Sequence, residues 1–123
     1  MYAEDLYPVT VSGGGGLPKA TDPGIPEAYR LHANHPNPFN PTTVIPYDLA
    51  EQSEITLTIY DILGREVRRW QRREAAGYKS VMWDGKDKNH RPVPTGVYVY
   101  QLEAVSQESG QRFISSSKML LLK

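Results

Sequence analysis

Two stretches of this chain alternate apolar and polar side chains with a period of two. Ile55, Leu57 and Ile59 interleave with Thr56, Thr58 and Tyr60. Tyr98, Tyr100, Leu102 and Ala104 interleave with Val97, Val99, Gln101 and Glu103. A period of two puts successive side chains on opposite faces of an extended strand. No segment longer than a turn or two carries the 3.6-residue apolar period of a helix. Thr43, Ile45, Tyr47 and Leu49 share one face of an earlier strand, and further strands are expected at 78–83 and at about 112–122. In the polar strand 66–72 the apolar members Val67 and Trp70 are three apart, which breaks strict alternation and predicts a bulge. Turn signals separate the runs: Asp61-Ile62-Leu63-Gly64-Arg65, the dense stretch 84–92, and Ser109-Gly110. About seven short strands with such spacing predict an all-β fold, an antiparallel β-sandwich.

The chain is expected to divide near residue 28. Gly13-Gly14-Gly15-Gly16 followed by Pro18, Pro23 and Pro26 reads as a linker, flexible and then extended. Residues 1–28 are therefore assigned to a Gly/Pro-rich linker or the end of a preceding domain, and 29–123 to the sandwich. Ahead of the glycines, residues 6–12 (Leu-Tyr-Pro-Val-Thr-Val-Ser) are β-forming, and a strand that adds to a neighbour's sheet edge is an alternative reading. Of the 123 residues, 14 are basic and 14 acidic, which removes the broad electrostatic argument for nucleic acid or membrane surfaces. No apolar run is long enough to span a bilayer. Met1 is followed by Glu4 and Asp5 rather than by a basic region and an apolar stretch, so an exported chain would carry its signal outside this sequence. The absence of Cys excludes disulfides, thiolate metal sites and a Cys nucleophile.

The most unusual local sequence is Pro36-Asn37-Pro38-Phe39-Asn40-Pro41. Its prolines bias the path toward extended geometry, while Asn37 and Asn40 can bond nearby backbone N–H groups. This segment is followed in order by Tyr60-Asp61-Ile62-Leu63-Gly64-Arg65-Glu66-Val67 and Trp83-Asp84-Gly85-Lys86-Asp87. Pro94-Thr95-Gly96-Val97-Tyr98-Val99-Tyr100 and Lys118-Met119-Leu120-Leu121-Leu122-Lys123 complete the series. Their order and spacing resemble the C-terminal sorting domain of the type IX secretion system of Bacteroidota, which is similar in sequence to the Ig-like domain of the flagellar hook-capping protein. The resemblance spans about Tyr29 to Lys123. It implies an Ig-like sandwich with no catalytic role, no cofactor, and partners in the type IX machinery and an upstream cargo domain. It also implies export through the periplasm to the cell surface or medium. The residues it marks for translocon recognition are Pro36, Asn37, Pro38, Asp61, Gly64, Arg65, Gly96, Tyr98, Lys118, Leu120, Leu122 and Lys123. Members commonly carry Gly where this chain has His90; His tolerates the left-handed region better than most residues, so the turn can survive the departure.

Other residue groups suggest weaker chemistries. Asp84, Asp87 and Asn89 cluster oxygen atoms as a calcium loop does, but lack the paired acids and closing Glu of a helix–loop–helix site. Capping of the backbone is the plainer expectation. Arg65, Arg68, Arg69, Arg72 and Arg73 fit a charged edge strand guarded against aggregation. Arg68, Arg69, Arg72 and Arg73 are also candidates for contact with acidic translocon loops or lipopolysaccharide phosphates. His32 and His35 make poor metal geometry, and Ser115, Ser116 and Ser117 have no base beside them. Asp61 with Asp84 gives no sign of a catalytic carboxylate pair, so no enzyme is expected. Two non-sorting functions stay open: a structural subunit polymerising through residues 6–12, and a glycan-binding sandwich, which requires Tyr60, Trp70 or Trp83 to form a flat exposed platform.

Overall fold

The computed structural model describes residues 24–123. The strand expected at 6–12 and the glycine run at 13–16 lie outside the described residues. Seven strands follow in order: β1 (Arg30–Leu31), β2 (Thr43–Leu49), β3 (Ser53–Tyr60), β4 (Glu66–Glu74), β5 (Gly77–Trp83), β6 (Gly96–Ser106) and β7 (Arg112–Leu121). They form a three-stranded sheet, β1-β2-β5, and a four-stranded sheet, β4-β3-β6-β7, with antiparallel pairing throughout. No described helix is long and apolar enough to cross a membrane.

The period-two pattern sets which face is buried. Ile45, Tyr47 and Leu49 of β2 meet Ile55, Leu57 and Ile59 of β3 and Tyr100, Leu102 and Ala104 of β6 in one core. Burying a side chain of this size is worth about 1.5–3 kcal/mol, so a one-residue slip in any of these strands would turn its apolar face to water. The expected bulge is present: Ile59 pairs with Arg68 and Tyr60 with Glu66, leaving Val67 as the extra residue. That extra residue lets Val67 turn inward and be buried although Arg68 beside it is also on the inner face.

Packing begins ahead of the expected boundary at residue 29. Pro26 is buried, and Tyr29 donates or accepts a hydrogen bond with Ser53 while stacking on Phe113 at 5.7 Å. Tyr100 reaches across the sandwich, donating to His32 O at 2.8 Å and accepting from Asn34 N at 3.0 Å. These bonds anchor the otherwise irregular residues 32–42 to the four-stranded sheet.

Candidate functional site

The ends of β3, β5 and β7 and the starts of β2, β4 and β6 lie at one pole, and there the sequence motifs converge. Asp61 organises the β3–β4 turn. Its Oδ1 accepts from Leu63 N and Arg65 N at 2.9 Å each, and Oδ2 accepts from Arg65 Nε at 2.7 Å. Asp61 N donates to Arg65 O and Gly64 N to Asp61 O, closing a five-residue loop in which Gly64 has φ 83°. These donated N–H groups, Arg65 N foremost, hold the Asp61 carboxyl below the usual aspartate range.

The β5–β6 connection contains a second copy of the same loop. Asp87 Oδ1 accepts from Asn89 N at 2.8 Å and Arg91 N at 3.0 Å, Asp87 N donates to Arg91 O, and His90 N donates to Asp87 O. His90 sits at φ 64° where the first loop has Gly64, as the sequence allowed. The Asp87 carboxyl is likewise held down, chiefly by Arg91 N. The repeated spacing Asp-x-x-x-Arg, at 61–65 and 87–91, is the signal that finds this internal pair in the sequence. Asp87 Oδ1, which a calcium ion would need, is thus engaged by backbone, Oδ2 lies 3.7 Å from Arg91 Nε, and Asp84 Oδ1 accepts from Lys86 N at 3.1 Å. Asp84 and Asp87 cap backbone N–H groups of their own loop, Asn89 N among them; among the described residues no group of three or more His, Cys, Asp or Glu could hold a metal.

Three aromatic rings support this pole. Trp83, fully buried, lies 5.6 Å from Phe39 and 5.4 Å from Tyr98, and its Nε1 donates to Lys86 O at 2.9 Å. Tyr98 is also buried and donates its hydroxyl to Pro94 O at 2.6 Å, so it acts through the fold rather than by touching a partner. Burial, then the Asp61 charge, pushes the pKa of that hydroxyl above the usual tyrosine value, so it keeps its proton. Gly85 packs so close to Pro41 that a Cβ would stand 2.9 Å from the Pro41 carbonyl oxygen.

The first and last motifs are joined. Phe39 forms a parallel bridge with Leu121, donating N–H to Leu120 O and accepting from Leu122 N, each at 3.0 Å. Asn37 Oδ1 accepts from Leu120 N at 3.0 Å, between the exposed rings of Pro36 and Pro38. Gly96 pairs with Leu121, and Thr95 Oγ1 accepts from Lys123 N. Met119 and Leu121 point into the core, whereas Lys118, Leu122 and Lys123 face solvent and Leu120 is half-buried.

What this frame displays is apolar. Ile62 and Leu63 at the tip of the first loop are 78% and 73% exposed. On one side of the tip lies a groove of about 500 Å³ between the two loops, lined by Asp61, Arg65, Asp87, Val93, Pro94 and Tyr98. On the other side a groove of about 510 Å³ is lined by Tyr60, Ile62, Gly64, Val97, Val99 and Lys118. Exposure of the tip is the feature that sequence reading missed; the signal was Ile62-Leu63 at the centre of a turn.

The arginine cluster is divided rather than gathered. Register places Arg68 and Arg72 on the inner face of β4 with Trp70, and Arg69 and Arg73 on the outer face. Arg68 lies over Trp70 at 4.8 Å and 4.0 Å from Asp84; Arg69 pairs with Glu66 at 2.7 Å and Arg72 with Glu74 at 3.6 Å. Such exposed pairs contribute little to stability, but they break up the continuous basic surface an acidic partner would need. The platform required for glycan stacking is absent from the three residues named for it: Trp83 is buried, Trp70 is half-buried beneath Arg68, and Tyr60 is half-buried in a groove wall.

A family model described as the FlgD Ig-like domain matches residues 40–108. Among solved structures, dimeric latent PorU from Porphyromonas gingivalis is 19% identical, with a TM-score of 0.62, over 75% of this chain and 9% of that one. FlgD from P. aeruginosa is 30% identical, with a TM-score of 0.49, over 64% of this chain and 61% of that one. PorZ, described as a surface component of the type IX secretion system of P. gingivalis, is 18% identical, with a TM-score of 0.46, over 76% of this chain and 11% of that one. The chain therefore spans less than two thirds of the length of each. No curated protein matches.

Proposed function

The chain belongs to the FlgD Ig-like domain family, and on that premise we propose that it is a non-catalytic docking module, used to sort an exported cargo through the type IX outer-membrane translocon to the cell surface or medium. The observation that carries this reading is the convergence of segments 36–41, 61–67, 83–98 and 118–123 on one pole. There they build a hydrogen-bonded frame around an exposed Ile62-Leu63 tip. The type IX assignment itself rests on the order and spacing of those segments. Family membership equally favours a structural assembly role, as in the hook-capping relative, and the two part in what they need from the host.

The tail cannot simply be deleted to test this. Removing 118–123 takes away the buried side chains of Met119 and Leu121 and the pairing of Gly96 to Val99, so an unfolded domain would be mistaken for an unrecognised one. The test uses the full chain behind a signal peptide and fluorescent reporter in a type IX-competent host. Wild type is compared with Ile62→Ser/Leu63→Ser and with Lys118→Glu/Leu122→Glu/Lys123→Glu. All substituted side chains are exposed, so stability should change by less than about 0.5 kcal/mol per site. Wild type reaching the medium while folded variants stay in the periplasm is the expected result. Retention of the folded wild type sinks the sorting role in that host.

A further inference from the structure

Four strands form the edges of the two sheets among the described residues: β1 and β5, β4 and β7. An edge strand presents unpaired N–H and C=O groups to any passing strand, and proteins blunt edges by shortness, bulges or inward-pointing charge. β1 is two residues long. β5 points Lys79 inward, opposite Tyr47. β4 has its bulge at Val67 and turns Arg68 and Arg72 inward. β7 has none of these: Phe113-Ile114-Ser115-Ser116-Ser117 contains no charge, proline or register break.

Parity identifies the groups left open. The edge of β7 already takes an extended segment at its far end, where Leu120 and Leu122 bond to Asn37 and Phe39. Residues of the same parity, Ile114, Ser116 and Lys118, therefore direct their backbone groups outward on the same edge. Ile114 is 49% exposed on the outer face.

We propose that β7 is a strand-pairing edge for a second copy of this chain, joined antiparallel about a two-fold axis at Ile114. A second copy fits because the strand is self-complementary in this register. Ile114 meets Ile114 of the partner subunit, and Arg112 faces the partner subunit's Ser116. The alternative centred on Ser115 would set Arg112 against the partner subunit's Lys118, and like charges directly opposed are destabilising. Residues 120–122 are closed to pairing by Phe39, which limits the ladder to the uncharged middle of the strand. Two four-stranded sheets would become one continuous sheet. This surface is separate from the pole that carries the proposed function.

Sedimentation equilibrium of the full chain tests it, from micromolar to submillimolar concentration. The expected result is a rise to twice the 13.9 kDa of one chain. The rise should be lost in Ser116→Pro, which removes an outward N–H that the isolated sheet does not use, and in Ile114→Lys, which places charge on the axis. Circular dichroism checks that both variants fold, and Ile114→Lys alone decides if the proline variant does not. Opposed Cα atoms in an antiparallel pair are about 4.5–5.5 Å apart, within the about 4.4–6.8 Å a disulfide spans. In this cysteine-free chain Ile114→Cys should therefore crosslink on mild oxidation. Lys118→Cys should not, because its counterpart would be about 27 Å away along the strand. A monomer at all concentrations, association undiminished in folded Ile114→Lys, or crosslinking at position 118 instead of 114 overturns the proposal.

Discussion

The loops 61–65 and 87–91 share a hydrogen-bond plan and differ in nearly everything attached to it. In both, an aspartate caps two backbone N–H groups, an arginine closes the ring, and the fourth residue adopts a left-handed conformation. The first projects from the hairpin between β3 and β4 with two apolar side chains at its tip. The second crosses between sheets, carries Lys88 and Asn89, and is pinned at its base by Trp83 Nε1 to Lys86 O, close by the contact of Gly85 with Pro41. A loop plan of this kind fixes backbone only. Its surroundings decide whether the result is a knob that reaches solvent or a brace that ties two sheets together.

Three perturbations would break or sharpen that comparison. The largest effect is expected from Trp83→Ala, which removes the pin of the second loop and leaves the first untouched. Truncating a buried aromatic of this size costs about 3–5 kcal/mol. Denaturant unfolding would give that figure, and amide exchange should quicken at 87–91 well before 61–65. Equal quickening of both would mean that the loops are not independently supported. Gly64→His transplants the second loop's own solution into the first. Nothing lies within 4 Å of a Cβ built there, so the cost is that of a left-handed non-glycine residue, about 1 kcal/mol. A loss beyond about 2 kcal/mol would show that the hairpin tolerates less than the brace. The smallest effect concerns acid. Asp61 and Asp87 are held below their unfolded ionisation, so both favour the folded state fully above the ordinary aspartate value of about 3.9. That contribution is lost as pH falls through the lower folded values. Because both carboxylates lie at the surface, where solvent screens them, the slope should be shallow. Asp61→Asn/Asp87→Asn should flatten stability against pH below about pH 4, and an unchanged acid limb would assign it to other groups.

Local physics explains what could be read in the chain. The faces of β3 and β6 followed from alternation, and the bulge at Val67 from its spacing to Trp70. The left-handed conformation at His90 accords with the Gly that the resemblance places at that position and with the tolerance of His for that region. Long-range contacts were not legible. Nothing near Tyr29 in sequence announces that its ring stacks on Phe113, nor that Asn37 would accept from Leu120 N. The arginine run misled for a related reason: residues adjacent in a strand look like one patch in one dimension, but parity and the bulge send them to opposite faces. Trp83 shares parity with Val81, so its burial was encoded. Alternation fixes which residues share a face, however, and not which face meets the other sheet.

The parallel bridge between Phe39 and Leu121 bears on how the domain would respond to mechanical load. Tension drawn between the segment leading into β2 and the end of β7 runs along both partners of that bridge, so its bonds are sheared together rather than peeled one after another. Phe39 N to Leu120 O, Leu122 N to Phe39 O and the Asn37 side chain would share the pull. A small fold whose entry into β2 is clasped to its last strand in this manner should resist a pull applied across those two segments more than its modest core suggests.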